Sequence, residues 1–203
     1  MEHLMLQIRQ SIEENIAVKR RLLQEQCGLI EEIALEMTET LRNGHKILLF
    51  GNGGSAADAQ HIAAEFMGRF AMERASLPAI ALTTNTSTLT AIGNDYGYES
   101  VFSRQVEGIG RAGDLVIGIS TSGKSPNVVR GIETAKQMGI KTVVFTGGTG
   151  GQLAEISDIA LIVPSKNTQR IQETHIMTAH ILCELVEGEL LNPNPMIGFE
   201  TKG

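Results

Sequence analysis

Residues 47–65 read Ile47-Leu48-Leu49-Phe50-Gly51-Asn52-Gly53-Gly54-Ser55-Ala56-Ala57-Asp58-Ala59-Gln60-His61-Ile62-Ala63-Ala64-Glu65. The first four residues are an apolar run of the kind a buried strand needs. A glycine-rich turn follows, then an alanine-rich segment that favours helix. Strand, glycine turn and helix N-terminus together make an anion site. Glycines let the backbone approach a ligand, and the free N–H groups of the first helical turn point at it. Four residues apart on that helix, His61 and Glu65 share one face.

The same alternation continues along the chain. Strands are expected at Ile47–Phe50, Ala79–Leu82, Leu115–Ile119, Thr142–Phe145 and Ile159–Val163. Helices are expected at Ser55–Phe70, Ser87–Ile92, Phe102–Ile109, Pro126–Met138 and Gln172–Leu190. Alternating elements predict an α/β fold, a five-stranded parallel sheet doubly wound by helices on both faces. Two amphipathic helices precede it, one from about residue 3 to 26 and one over Leu29–Leu41, with Gly44 as the stop. The first carries Leu4, Ile8, Ile12 and Ile16 at four-residue spacing. These stripes either pad one edge of the same subunit or pack against another copy, and the second reading is preferred. The chain thus reads as one domain: N-terminal helices over 1–44, an α/β core over 45–191, and a loose tail from Asn192 to Gly203.

Composition narrows the function. The 203 residues suit one α/β domain. Hydrophobic residues make up 42% and charged residues 20%, an ordinary mixture for a soluble protein. A net charge of -6 argues against a broad grip on nucleic acid. No apolar run approaches membrane-spanning length and no secretory pattern opens the chain, so a cytoplasmic location is expected. Cys27 and Cys183 fall within helical patterns and read as reduced core residues.

Ligands of open parallel sheets bind beyond the carboxyl ends of the strands. Three loops lie there: Gly51–Ser55, Ser120–Ser125 and Gly147–Gly151. The second, Ser120-Thr121-Ser122-Gly123-Lys124-Ser125-Pro126, carries four hydroxyls between a strand and a helix. Ser125 suits the N-cap and Pro126 the first helical position. One cap needs one hydroxyl; the excess points to a phosphate cup. A Walker-type phosphate loop is absent from the sequence. A nicotinamide cofactor is not expected, because the second strand ends Leu82-Thr83-Thr84-Asn85 without the carboxylate that would hold a ribose.

His61 and Glu65 suit a divalent ion or acid/base work, although helices often carry such a pair incidentally. Gln172 and His180 stand eight residues apart on the last helix, ~12 Å of rise, a long span for one ion. His3 and His45 read as surface residues. Asn94-Asp95 reads first as a turn.

Three segments carry a resemblance: the glycine turn with its helix through His61, Ser120-Thr121-Ser122-Gly123, and Arg170-Ile171-Gln172-Glu173 with His180. In this order they resemble the sedoheptulose 7-phosphate isomerases, or phosphoheptose isomerases, of the sugar isomerase (SIS) domain group. The resemblance spans nearly the whole chain. It implies a flavodoxin-like SIS fold and conversion of sedoheptulose 7-phosphate to D-glycero-D-manno-heptose 7-phosphate, the first step towards the heptose of lipopolysaccharide. It further implies a homotetramer with sites between subunits and one zinc per site. Its metal ligands fall on His61, Glu65, Gln172 and His180. Its substrate contacts fall on Asn52, Gly53, Gly54, Glu65, Asn94, Asp95, Ser120, Thr121, Ser122, Ser125 and Gln172. Glu65 and His180 become the expected base and acid. Some members carry an aspartate just before Arg-Ile-Gln-Glu; here Gln169 stands there and takes no ionised role. Non-catalytic relatives that associate with a replication initiator lack the pair at Glu65 and His180. Sugar-phosphate sensing domains, the other alternative, usually travel with a DNA-binding segment.

Overall fold

A computed structural model describes residues 2–191; the expected tail lies outside the described residues. The N-terminal helices are α1 (Glu2–Glu25) and α2 (Cys27–Arg42). The strands are β1 (Ile47–Gly51), β2 (Ala79–Ala81), β3 (Leu115–Ile119), β4 (Lys141–Gly147) and β5 (Ile159–Val163). The remaining helices are α3 (Gly54–Met67), α4 (Thr86–Tyr96), α5 (Ser103–Ile109), α6 (Pro126–Gln137), α7 (Gly151–Ile156) and α8 (Thr168–Leu191).

All five strands are parallel, in the order β2-β1-β3-β4-β5. Every residue of β1 and β3 is buried, because helices cover both faces of the sheet. Side chains alternate between two cores. Ile47 and Leu49 join the core built with α2, α3 and α8, where Ile33, Met37, Ile62, Phe66 and Leu182 pack. Leu48 and Phe50 join the opposite core with Phe102, Val106, Val128 and Ile132. Phe50 stacks on Phe102 with ring centroids 4.9 Å apart. Each such fully buried side chain contributes roughly 1.5–3 kcal/mol by leaving water.

The element boundaries differ from expectation for local reasons. Helix α3 stops at Met67, and Gly68 follows it as C-cap with ψ -113°, so the chain leaves the helix three residues before Phe70. Helix α4 begins one residue earlier than expected because Asn85 caps it, accepting the Thr88 N–H at 3.0 Å, and it runs on to Tyr96, where Gly97 with φ 83° ends it. Helix α8 begins before Gln172 because Asn167 Oδ1 takes the Gln169 N–H at 3.1 Å. The short helices α7 and Tyr98–Ser100 were not expected; each is a turn or two long, too short for apolar periodicity to register.

Helix α1 lies against α8. Arg170 of α8 donates to the Ser11 carbonyl at 2.6 Å, and Arg21 bonds the Pro164 carbonyl. Val18 and Leu22 are buried, but Leu4, Ile8, Ile12 and Ile16 remain 63%, 53%, 56% and 43% exposed. The apolar stripe thus faces outward within one chain. No helix among the described residues is long and apolar enough to cross a membrane.

Candidate active site

In this strand order the chain reverses direction across the sheet between β1 and β3, and a crevice opens beyond their carboxyl ends. Gly51 and Ile119 are register partners there. A Cβ on Gly51 would stand 2.8 Å from the Ile119 carbonyl and from Ser55, so glycine is what lets the two strand ends and α3 meet. Gly53, the N-cap of α3, has φ 55°, a left-handed conformation that glycine adopts without strain. Asn52 is pinned. Its amide exchanges two hydrogen bonds with Asn127, at 2.9 and 2.8 Å, and Tyr98 Oη donates to its Oδ1 at 3.4 Å. Asn127 is 3% exposed on the first turn of α6. Sequence reasoning missed it; the usable signal was an amide placed next to apolar core positions.

Across the crevice, Ser120 Oγ lies 2.9 Å from Ser125 Oγ and 3.4 Å from Ser122 Oγ. Ser122 Oγ accepts the Lys124 N–H at 3.3 Å. Ser125 does hold the N-cap position with Pro126 after it, but its hydroxyl caps no backbone N–H of α6. It turns to Ser120 instead, which makes it part of the hydroxyl cluster. Thr121 and Ser122 line a hollow of about 320 Å³ facing Gly147 and Gly148, with Lys124 and Lys166 on its wall. Hydroxyls, backbone and two ammonium groups make this a fit surface for a phosphate.

His61 and Glu65 come from α3 and His180 from α8. His61 Nε2 is 2.9 Å from His180 Nε2 and 3.3 Å from Glu65 Oε1. The two imidazoles meet edge-on at 5.2 Å, and Phe70 lies beside His180 at 5.9 Å. The ligand atoms of His61, Glu65 and His180 all lie within 4.8 Å of one another. Tetrahedral zinc with bonds of 2.0–2.1 Å needs ligand atoms roughly 3.3 Å apart, so two nitrogens and one carboxylate oxygen at these spacings fit the ion. One turn before His61, Asp58 is held above the usual carboxylate range by burial, and His61 offsets this in part.

The other expected residues are placed as follows. A Cβ on Gly54 would overlap the Gln172 amide nitrogen, so that amide lies directly over the start of α3. His61 is seven residues further along, ~10 Å of helix rise. Asn94 and Asp95 hydrogen-bond each other at 2.8 Å on the last turn of α4. Asp95 lines a groove with Arg104 between α4 and α5. Neither is hydrogen-bonded to the cup or to the His61 cluster among the described residues.

Comparisons with known proteins give the family. Residues 11–147 match the model of the SIS domain. A phosphoheptose isomerase from Roseiflexus sp. (strain RS-1) is 60% identical over 179 residues, 88% of this chain and 91% of that protein. The solved phosphoheptose isomerase of Neisseria gonorrhoeae superposes with TM-score 0.87 at 43% identity, covering 91% of this chain and 99% of that one. That of Francisella tularensis gives TM-score 0.88 at 38% identity, covering 91% and 98%. The chain belongs to the phosphoheptose isomerases of the SIS domain family.

Proposed function

We propose that this isomerase converts sedoheptulose 7-phosphate to D-glycero-D-manno-heptose 7-phosphate, the first step of heptose supply for lipopolysaccharide. One observation carries the reading beyond family membership. Glu65 and His180, from different helices, converge with His61 on one point, and the glycine turn opens the helix that carries Glu65.

Aldose–ketose isomerisation moves a proton between C1 and C2 through an enediol. In this proposal Ser120, Thr121, Ser122 and Ser125 hold the phosphate, with the backbone of Gly53 and Gly54 alongside. Asn52, Asn94, Asp95 and Gln172 orient the sugar hydroxyls. Glu65 is the base that works on both carbons, and His180 is the acid that serves the oxygens. Glu65 Oε1 is the oxygen beside His61, which leaves Oε2 to take the proton.

His61, Glu65 and His180 would hold one zinc ion per chain; Gln172, the fourth ligand that the resemblance implies, has its amide over Gly54, ~10 Å of helix rise from His61, and in this reading serves the substrate. When bound, the ion supplies positive charge next to the oxygens that become an enediolate. The outward stripe of α1 supports a homotetramer with sites completed between copies. A cytoplasmic location fits a biosynthetic step on a phosphorylated sugar. Incubation with sedoheptulose 7-phosphate and NMR of the products tests the proposal. Heptose 7-phosphate is expected; unchanged substrate would transfer the chain to a partner-binding role.

A further inference from the structure

Eleven residues, 68–78, connect α3 to β2 without forming a helix or strand. Their path is fixed from within by Arg74 and Glu187, whose side chains are 3% and 1% exposed. Arg74 Nε donates to Glu187 Oε1 at 2.9 Å. The same oxygen accepts the Phe70 N–H at 3.2 Å, and Oε2 accepts those of Ala71 and Met72, both at 2.8 Å. The rest of the guanidinium turns to the end of α3. Nη2 donates to the Glu65 carbonyl at 2.9 Å, and Nη1 to those of Phe66, Gly68 and Ala75 at 2.9, 3.3 and 3.0 Å. Burial alone would raise the Glu187 carboxyl, yet the three N–H groups and Arg74 outweigh it and hold it below the ordinary range.

Resting on the isomerase reading, we infer that Arg74 and Glu187 are positioning residues for Glu65 and His180. Two bonds of the pair reach that site: Arg74 Nη2 ends on the Glu65 carbonyl, and Glu187 Oε1 holds the N–H of Phe70, whose ring lies beside His180. Glu187 follows His180 on α8 by seven residues, two helical turns, so both project from one face. Glu65 lies in the last turn of α3, where helices fray. Arg74 satisfies the carbonyls left open there, and its positive charge complements the helix C-terminus. Phe70, held by its N–H, presses its ring on His180. A buried ion pair gives stability poorly, since well-packed apolar residues often serve as well or better. Its bonds here fix geometry: the Glu65 backbone from one side and the His180 ring, through Phe70, from the other.

The test compares Arg74→Lys, which keeps the charge but loses the planar fork, with Glu187→Gln, which keeps the shape but loses the charge. Ile132→Val, in the core on the other face of the sheet, is the stability control. For sedoheptulose 7-phosphate, kcat should fall about tenfold or more in both variants, because loss of such supporting partners costs about 10–100-fold in activity or metal affinity. KM should stay within about threefold, since the cup is untouched. Zinc affinity, read by competition with a chromophoric chelator, should weaken about tenfold or more. The control should keep both values. Folded Arg74 and Glu187 variants matching wild type in kcat and zinc affinity would overturn the inference. If either fails to fold, Phe70→Leu decides: a severalfold fall in kcat at constant KM supports positioning, and wild-type kcat overturns it. An inactive wild type would refute the isomerase reading, leaving zinc affinity to decide the positioning role. A wild type with neither activity nor zinc would overturn both.

Discussion

Gly54→Ala separates function from stability with a single methyl group. Gly54 is the first residue of α3, and its φ lies outside the left-handed region, so alanine fits the backbone. Helix propensity favours the change by up to about 1 kcal/mol. The methyl would overlap Gln172 Nε2 and stand 3.1 Å from Cδ and 3.4 Å from Oε1. Normal contact between such atoms is about 3.5–4.0 Å, so the amide must withdraw by about 1 Å. It is the far end of a flexible side chain and can move at little cost to the fold. A displacement of that size at a substrate-orienting group costs about 10²-fold in rate. Steady-state kinetics with sedoheptulose 7-phosphate, alongside thermal denaturation, should show kcat/KM down about 10²-fold with Tm unchanged or raised. Full activity in the folded variant would refute the reasoning, because Gln172 would then not need its place over Gly54.

Thr121→Ala and Ser122→Ala should each raise KM more than they lower kcat, because phosphate contacts serve ground and transition states alike; unchanged KM in both would place the phosphate elsewhere. Glu65→Gln should cost several orders of magnitude in kcat, because the amide cannot accept a proton. Elemental analysis of the same variant tells base from ligand: lost activity with zinc retained supports the base role, and near-wild-type kcat would remove it. His175 is 1% exposed, and burial first, opposed by its bond to the Thr146 carbonyl, pushes its pKa down to about 4 from 6.5. The unfolded chain therefore binds the extra proton first. This group's contribution is complete above pH 6.5 and falls by about 3 kcal/mol as pH drops to 4. Urea unfolding of metal-free protein should show a shallower loss over that window in His175→Gln; identical slopes would contradict it.

The fold was legible because β1 and β3 are buried on both faces and leave apolar runs such as Ile47-Leu48-Leu49-Phe50. The cup was legible because its hydroxyls are contiguous in the chain. The convergence of His61 and Glu65 with His180 was not legible from spacing, since 119 residues separate the two imidazoles and only the packing of α3 on α8 brings them together. The family resemblance supplied that pairing. Asn127, Arg74 and Glu187 went unseen for a related reason. Each reads as an ordinary polar residue, and burial with specific long-range partners appears only after folding. The α1 stripe was read correctly as apolar, yet one chain leaves it open; its proposed cover is another copy.

The central claim is that the chain moves a proton between C1 and C2 of sedoheptulose 7-phosphate. Proton NMR of the reaction in deuterated buffer tests it most directly. The account predicts heptose 7-phosphate signals, with deuterium entering at C2 of the heptose and at C1 of the sedoheptulose and at no other carbon, and neither change with Glu65→Gln. Unaltered sedoheptulose 7-phosphate, with every carbon-bound proton retained in the presence of folded, metal-loaded wild-type protein, would contradict it.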